Sequence, residues 1–189
     1  MNEFVTKSIA IAVANKIVTS VAIANGAQII ANQPDVPRNI TIAVTDMDTS
    51  IDAGVVTVTG TDIKGDLLVE AFDLTTALVF VGTSNFATIT SVVVSALHGA
   101  ALGDTLIVGV GSNVQLTLGN TTLGSLVILD DSGTVGGFGV IDGTSGTTVN
   151  VASLKADIAN NVYKFDCVLS AGLRVIMAGD TALTVTYRQ

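Results

Sequence analysis

The sequence predicts an all-β protein of antiparallel β-sandwich or barrel units, preceded by an extended N-terminal arm. Three observations carry this. Of 189 residues, 27 are Val and 24 are Thr, β-branched types that suit a pleated surface better than a helix. Strong helix formers are scarce, with two Glu and five Lys in the whole chain. Short alternating apolar runs are separated by Gly, Asp, Asn and Ser about every 8–12 residues, the spacing of a sandwich or barrel.

Taken in order, residues 1–34 read as the arm. Ile9, Ile11 and Val13 alternate with alanines, as in a strand that packs on something else. Apolar stretches here resemble a signal peptide or a membrane span. Glu3 stands where a positive region is expected, Lys16 interrupts the run, and no stretch reaches the roughly 18 apolar residues of a spanning helix. Pro34 and Pro37 then mark a boundary. Residues 38–45 alternate, with Ile40, Ile42 and Val44 on one face and Asn39, Thr41 and Ala43 on the other. Residues 46–54 form a turn-rich connection, and 55–61 alternate again. Asp62-Ile63-Lys64-Gly65-Asp66 reads as a hairpin turn into 67–74. Strands follow at 77–81, 86–94 and 105–110.

Gly109-Val110-Gly111-Ser112 suggests a second boundary, giving a first β-sandwich unit over 35–112 and a second β unit over 113–189. One larger sandwich sharing strands is the other arrangement this composition allows. In the second half, strands are expected at 114–118, 125–129, 139–141, 147–151, 161–169, 173–177 and 182–187. Residues 152–160 alone could carry a helical turn or two.

Charge narrows the function classes. Only 13% of residues are charged and the net charge is −8, against about 25% charged in an ordinary soluble domain. So apolar an exterior points to an assembly. Eight Lys and Arg in an acidic chain do not make a basic face for nucleic acid. One Cys excludes an intrachain disulfide framework.

Each candidate for chemistry lacks a partner that its chemistry requires. His98 follows a strand in a loop-like stretch, with no Gly-x-Ser-x-Gly elbow in the chain to supply a nucleophile. Cys167 sits in an alternating run and reads as a small core filler. Asp46, Asp48, Ser50 and Asp52 place oxygens at alternate positions, superficially like a calcium loop. Ile51 occupies the position that needs Gly, and no Glu stands at the twelfth place. A solvated acidic turn with local Asx turns is the plainer reading. The glycine clusters 133–139 and 143–148 lack the Lys and the helix of a phosphate loop. Paired carboxylates for sugar hydrolysis have no sequence signature to exclude them, but the chain has no Trp to build a sugar platform. The sequence therefore predicts no catalytic residue, no cofactor-binding residue and no metal ligand.

The stretches Val36-Pro37-Arg38-Asn39-Ile40-Thr41 and Asp52 to Gly65 resemble a module of tailed-bacteriophage virion structural proteins. Residues 70–74, 86–92 and 103–111 continue the resemblance, and 169–175 with 178–179 and 184–188 are similar to the ending of such proteins. Together these cover roughly two-thirds of the chain. The resemblance carries no catalytic residues. It implies a capsid decoration (cement) protein at the virion surface, bound to the major capsid protein or other virion proteins. A closed homo-oligomer is expected, a trimer at a threefold position being one such arrangement, with no nucleic-acid and no membrane partner. A tail, neck or head-fibre component and a host-surface carbohydrate-binding module are the alternatives, the latter using the 133–146 tips.

Overall fold

The computed structural model describes residues 4–10, 12–75, 78–119, 121–130, 137–143, 149–154, 162–178 and 182–188. Among them the protein is all-β, with no helix. The strands are β1 (Val5–Ile9), β2 (Val13–Ala22), β3 (Gly26–Ala27), β4 (Arg38–Thr45), β5 (Ala53–Thr61), β6 (Leu67–Asp73), β7 (Val79–Val81) and β8 (Thr88–His98). They continue with β9 (Thr105–Gln115), β10 (Thr121–Asp130), β11 (Gly137–Asp142), β12 (Val149–Leu154), β13 (Val162–Leu169), β14 (Leu173–Ala178) and β15 (Ala182–Arg188). The chain divides into two compact units, Val13–Gly111 and Met1–Ala12 with Ser112–Gln189.

The Val13–Gly111 unit is a sandwich. One sheet runs β3-β8-β5-β6; in the other, β9, β4 and β7 are neighbours and β2 pairs with β9. Period-2 alternation sets the faces. Along β5 every second residue is buried, so Val56 and Val58 point inward while Thr57 and Thr59 point out. On the facing sheet Ile40, Ile42 and Val44 of β4 and Leu106, Val108 and Val110 of β9 do the same. These residues, with Ile17, Val18, Phe72, Phe86, Ile89, Val92 and Val94, form one apolar cluster between the sheets. Burying a side chain of this size stabilises by roughly 1.5–3 kcal/mol.

One cation is buried in this unit. Arg38 is fully buried, its Nη2 3.3 Å from Asp35 Oδ2, while Lys16 Nζ lies 3.1 Å from Asp35 Oδ1. Burial lowers the Arg38 pKa and the Asp35 charge opposes that shift. The Pro34–Pro37 boundary is thereby tied back to β2.

In the other unit one sheet runs β1-β15-β10-β13, and β12, β11 and β14 lie in order beside the end of β9 at residues 113–115. Leu123, Leu126, Leu183 and Val185 of the first sheet are buried, as are Val140, Leu173, Val175 and Met177 of the second. Thr117 and Thr121 are buried as a pair, Oγ1 to Oγ1 2.7 Å, and Thr117 Oγ1 accepts the Leu173 N–H at 2.9 Å.

Three expectations are corrected. Residues 1–34, read as an arm that packs on something else, contribute strands to both units: β1 pairs antiparallel with β15 from Val5↔Tyr187 to Ile9↔Leu183, and β2 pairs with β9. The alternation Ile9, Ile11, Val13 does not lie in one strand: β1 ends at Ile9 and β2 begins at Val13, with Ala10 and Ala12 outside both. Residues 105–110 and 114–118 are not two strands, because β9 runs unbroken from Thr105 to Gln115. Gly109 and Gly111 are close-approach residues rather than a turn. A Cβ on Gly109 would overlap the carbonyls of Val13 and Ala14, and one on Gly111 would overlap the Asn39 amide. The two units meet in sequence within this strand, between Gly111 and Ser112. Finally, 152–154 are strand, not helix, and 155–160 lie outside the described residues.

Candidate functional site

Among the described residues, the acidic loop between β4 and β5 takes part in a close group of three candidate metal ligands. Oxygens of Asp46, Asp48 and Asp104 lie within 4.8 Å of one another. Asp104 comes from the connection before β9 and is buried. Sequence reading missed it, because 56 residues of chain separate it from Asp48. Three hard oxygen donors could in principle attract a divalent cation.

The geometry gives these carboxylates another employment. Asp46 accepts the N–H of Ser50 at 3.1 Å through Oδ1 and that of Ile51 at 3.0 Å through Oδ2. Asp104 accepts Met47 N–H at 2.9 Å and Ala101 N–H at 2.8 Å, so it staples the loop to the β8–β9 connection. Burial raises the Asp46 pKa, but the N–H groups of Ile51 and Ser50 together with Asp48 outweigh it and hold the carboxyl below its ordinary value. The Ser50 hydroxyl lies within hydrogen-bonding reach of Asp48 Oδ1 and the Gly99 carbonyl. Gly99 has φ +81°, and a Cβ there would overlap the Ser50 carbonyl. Asx-type bonds and glycine close approach thus account for the loop.

Asp52, the fourth expected oxygen, stands apart and pairs with the only histidine. His98 Nδ1 lies 2.6 Å from Asp52 Oδ1, at the end of the β5–β8 ladder where Ala53 faces His98. The two side chains are 77% and 65% exposed. A carboxylate orienting an imidazole is part of a hydrolytic triad. Among the described residues no hydroxyl or thiol bonds to this ring, and Cys167 lies in the other unit, on β13. Burial there pushes the Cys167 thiol up, away from the reactive thiolate. Of the glycine clusters, 133–136 and 144–148 lie outside the described residues.

The exposed apolar side chains form a different pattern. Val5 on β1, Leu67 and Val69 on β6, Val79 and Val81 on β7, and Val162 and Val168 on β13 are all exposed. Each of these strands is a sheet edge among the described residues. On the described strands, only Ile176 adds a large exposed apolar side chain away from an edge. Sequence reading placed the runs of β6, β7 and β13 as strands but not Val5–Ile9; which strands end a sheet follows only from pairing.

Comparison with protein-family models, with curated proteins and with solved structures found no match. Among the described residues no helix is long and apolar enough to cross a membrane, which says nothing of a β-barrel.

Proposed function

We propose that this chain is a non-enzymatic virion structural protein that decorates a capsid shell and stabilises it by binding across capsomers. The observation that carries the reading is the concentration of exposed apolar residues on sheet edges, in a chain with few charges. Exposed apolar side chains along a sheet edge can be buried against another protein, and burying them across a joint between subunits adds apolar area to that joint. The resemblance of residues 36–41, 52–65, 169–175 and 184–188 to phage virion proteins supplies the particle.

The test is copy number. In purified particles this chain should be found at about one per few major-capsid subunits, and the isolated protein should bind capsids that lack it. Val79→Lys and Val81→Lys should abolish that binding while leaving the fold intact. A handful of copies per particle would overturn the proposal in favour of a tail or neck role.

A further inference from the structure

The strand β6 differs from the other described edges. Its pairing with β5 is unbroken over seven residues, from Val55↔Asp73 to Thr61↔Leu67. Other edges carry devices that discourage pairing. In β13, Asp166 has φ +84° and lies where the pairing with β10 shifts register, with Lys164 beside it. Lys7 stands at the middle of β1, β7 spans three residues and β3 only two. Between Leu67 and Ala71, β6 has no Lys, no Pro and no bulge. Its one charge in that span, Glu70, belongs to the inward row and accepts Thr83 N–H at 2.7 Å, leaving the outer row uncharged.

Ladder geometry shows which backbone groups face out. Leu74 N–H donates to Gly54 O and Asp62 N–H to Asp66 O. Antiparallel pairs alternate between bonded and non-bonded. The bonded pairs are therefore Val56–Phe72, Val58–Glu70 and Gly60–Leu68. Leu67, Val69 and Ala71 turn N–H and C=O away from β5, and no described residue bonds them. Their side chains are exposed as well.

We infer that β6 is the contact strand of a symmetric dimer, two copies of this chain joined antiparallel, edge to edge, about a two-fold axis through Val69. Register follows from what each alternative would oppose. Centring on Glu70 sets Leu67 against Asp73, centring on Ala71 sets Val69 against Asp73, and centring on Leu68 sets Glu70 against Asp66. Centring on Val69 opposes Val69 to itself and Leu67 to Ala71, apolar to apolar.

Charge favours a second copy as the occupant. The Val13–Gly111 unit has three Lys or Arg residues. Lys16 and Arg38 are both held by Asp35, whereas Lys64 is exposed and no described ion pair engages it. In the Val69 register the turn carrying Lys64 lies alongside Asp73 of the second copy. Asp62 in that turn is directed inward, accepting the N–H groups of Lys64 and Asp66. Asp66, exposed just before β6, falls opposite Phe72 of the second copy in this register. The contact is a property of the isolated chain and stands or falls independently of the virion role.

Sedimentation equilibrium of the full chain should show a monomer–dimer equilibrium. Val69→Lys, which sets two ammonium groups against each other, should weaken it by about tenfold or more. Lys64→Glu should weaken it several-fold at low salt and less at high salt. In a Cys167→Ser background, Val69→Cys should cross-link to a covalent dimer under mild oxidation, because facing Cα atoms in a bonded pair lie about 5.5 Å apart, within disulfide reach. Ala71→Cys in the same background should not. A chain monomeric at all concentrations, a trimer, or a dimer untouched by Val69→Lys with unchanged circular dichroism would each overturn the inference. So would equal cross-linking at positions 69 and 71, whatever the folding of the Lys variant.

Discussion

At the scale of single residues, five of the described aspartates, Asp46, Asp62, Asp73, Asp104 and Asp142, accept backbone N–H groups. Asp142 is the clearest case: Oδ1 accepts Ala171 N–H at 2.7 Å, and Oδ2 accepts Ser170 N–H at 2.9 Å and the Ser170 hydroxyl at 3.1 Å. The turn from β13 to β14 is thereby fixed. Burial raises the Asp142 pKa, but the bonds from Ser170, Ala171 and Gly172 outweigh it, and the net value is lowered. Asp46 and Asp73 are lowered too, Asp73 chiefly by the Thr75 hydroxyl and N–H. For a depressed carboxylate, the stabilisation is fully present above the unfolded pKa of about 4 and disappears as pH falls through the folded value. Urea midpoints should therefore be flat from neutral pH to about pH 5 and fall below pH 4. Asp142→Asn should lose roughly 1–3 kcal/mol at neutral pH and show a shallower acid decline. An unchanged decline would mean that other groups carry it.

At the scale of elements, glycine decides where strands may pass. Gly109 lies in the middle of β9, where β2 crosses so closely that no Cβ fits beside the Val13 and Ala14 carbonyls. Neither obstacle is the end of a flexible side chain, so the strain cannot be relieved by a rotamer change. Gly109→Ala should cost at or beyond the upper end of the roughly 1–3 kcal/mol typical of overpacking. Gly139→Ala in β11 is the matched control, since nothing lies within 4 Å of its Cβ position. Equal melting temperatures for the two variants would count against the close-approach account. Strand β1 shows a related device: a Cβ on Gly124 would lie 3.0 Å from the Phe4 ring, and Arg188 stacks on that ring at 5.1 Å. Bare backbone at Gly124 thus leaves room for the Phe4 ring at the outer end of the strand, while Ile9 is buried at the other.

At the scale of the whole molecule, the N-terminal residues serve both units. Residues 5–9 complete the sheet of one and 13–22 belong to the other. Removing residues 1–33 should therefore destabilise both units, seen as loss of β-sheet circular dichroism or a melting midpoint lowered by more than about 10 °C. A truncated chain with the full-length midpoint would restore the arm reading. Such a truncation is for this reason a poor probe of capsid binding, and point changes on β7 are better. A chain with 13% charged residues and a net charge of −8 has few ionic means of choosing partners. Its edges are what remain to specify assembly.

Much of the strand inventory was legible because period-2 alternation is local. Ile40, Ile42 and Val44, or Val56 and Val58, announce their burial within a few residues of chain, and the structure buries all five. The Asp62–Asp66 hairpin was readable for the same reason, since turn chemistry lies in consecutive residues. Pairing partners were not legible. That β1 joins β15, that Asp104 closes the 46–52 loop, and that β6 ends its sheet are facts about residues far apart in the chain. The same locality explains the misreading of Gly109 and Gly111: a glycine that turns the chain and one that admits a neighbour look alike until the neighbour is in place. The composition and alternation made this an all-β chain with few charges to place on its exterior. Which of its strands were left at the edges, and so what that exterior can bind, depended on hydrogen bonding between segments whose order in space no local pattern encodes.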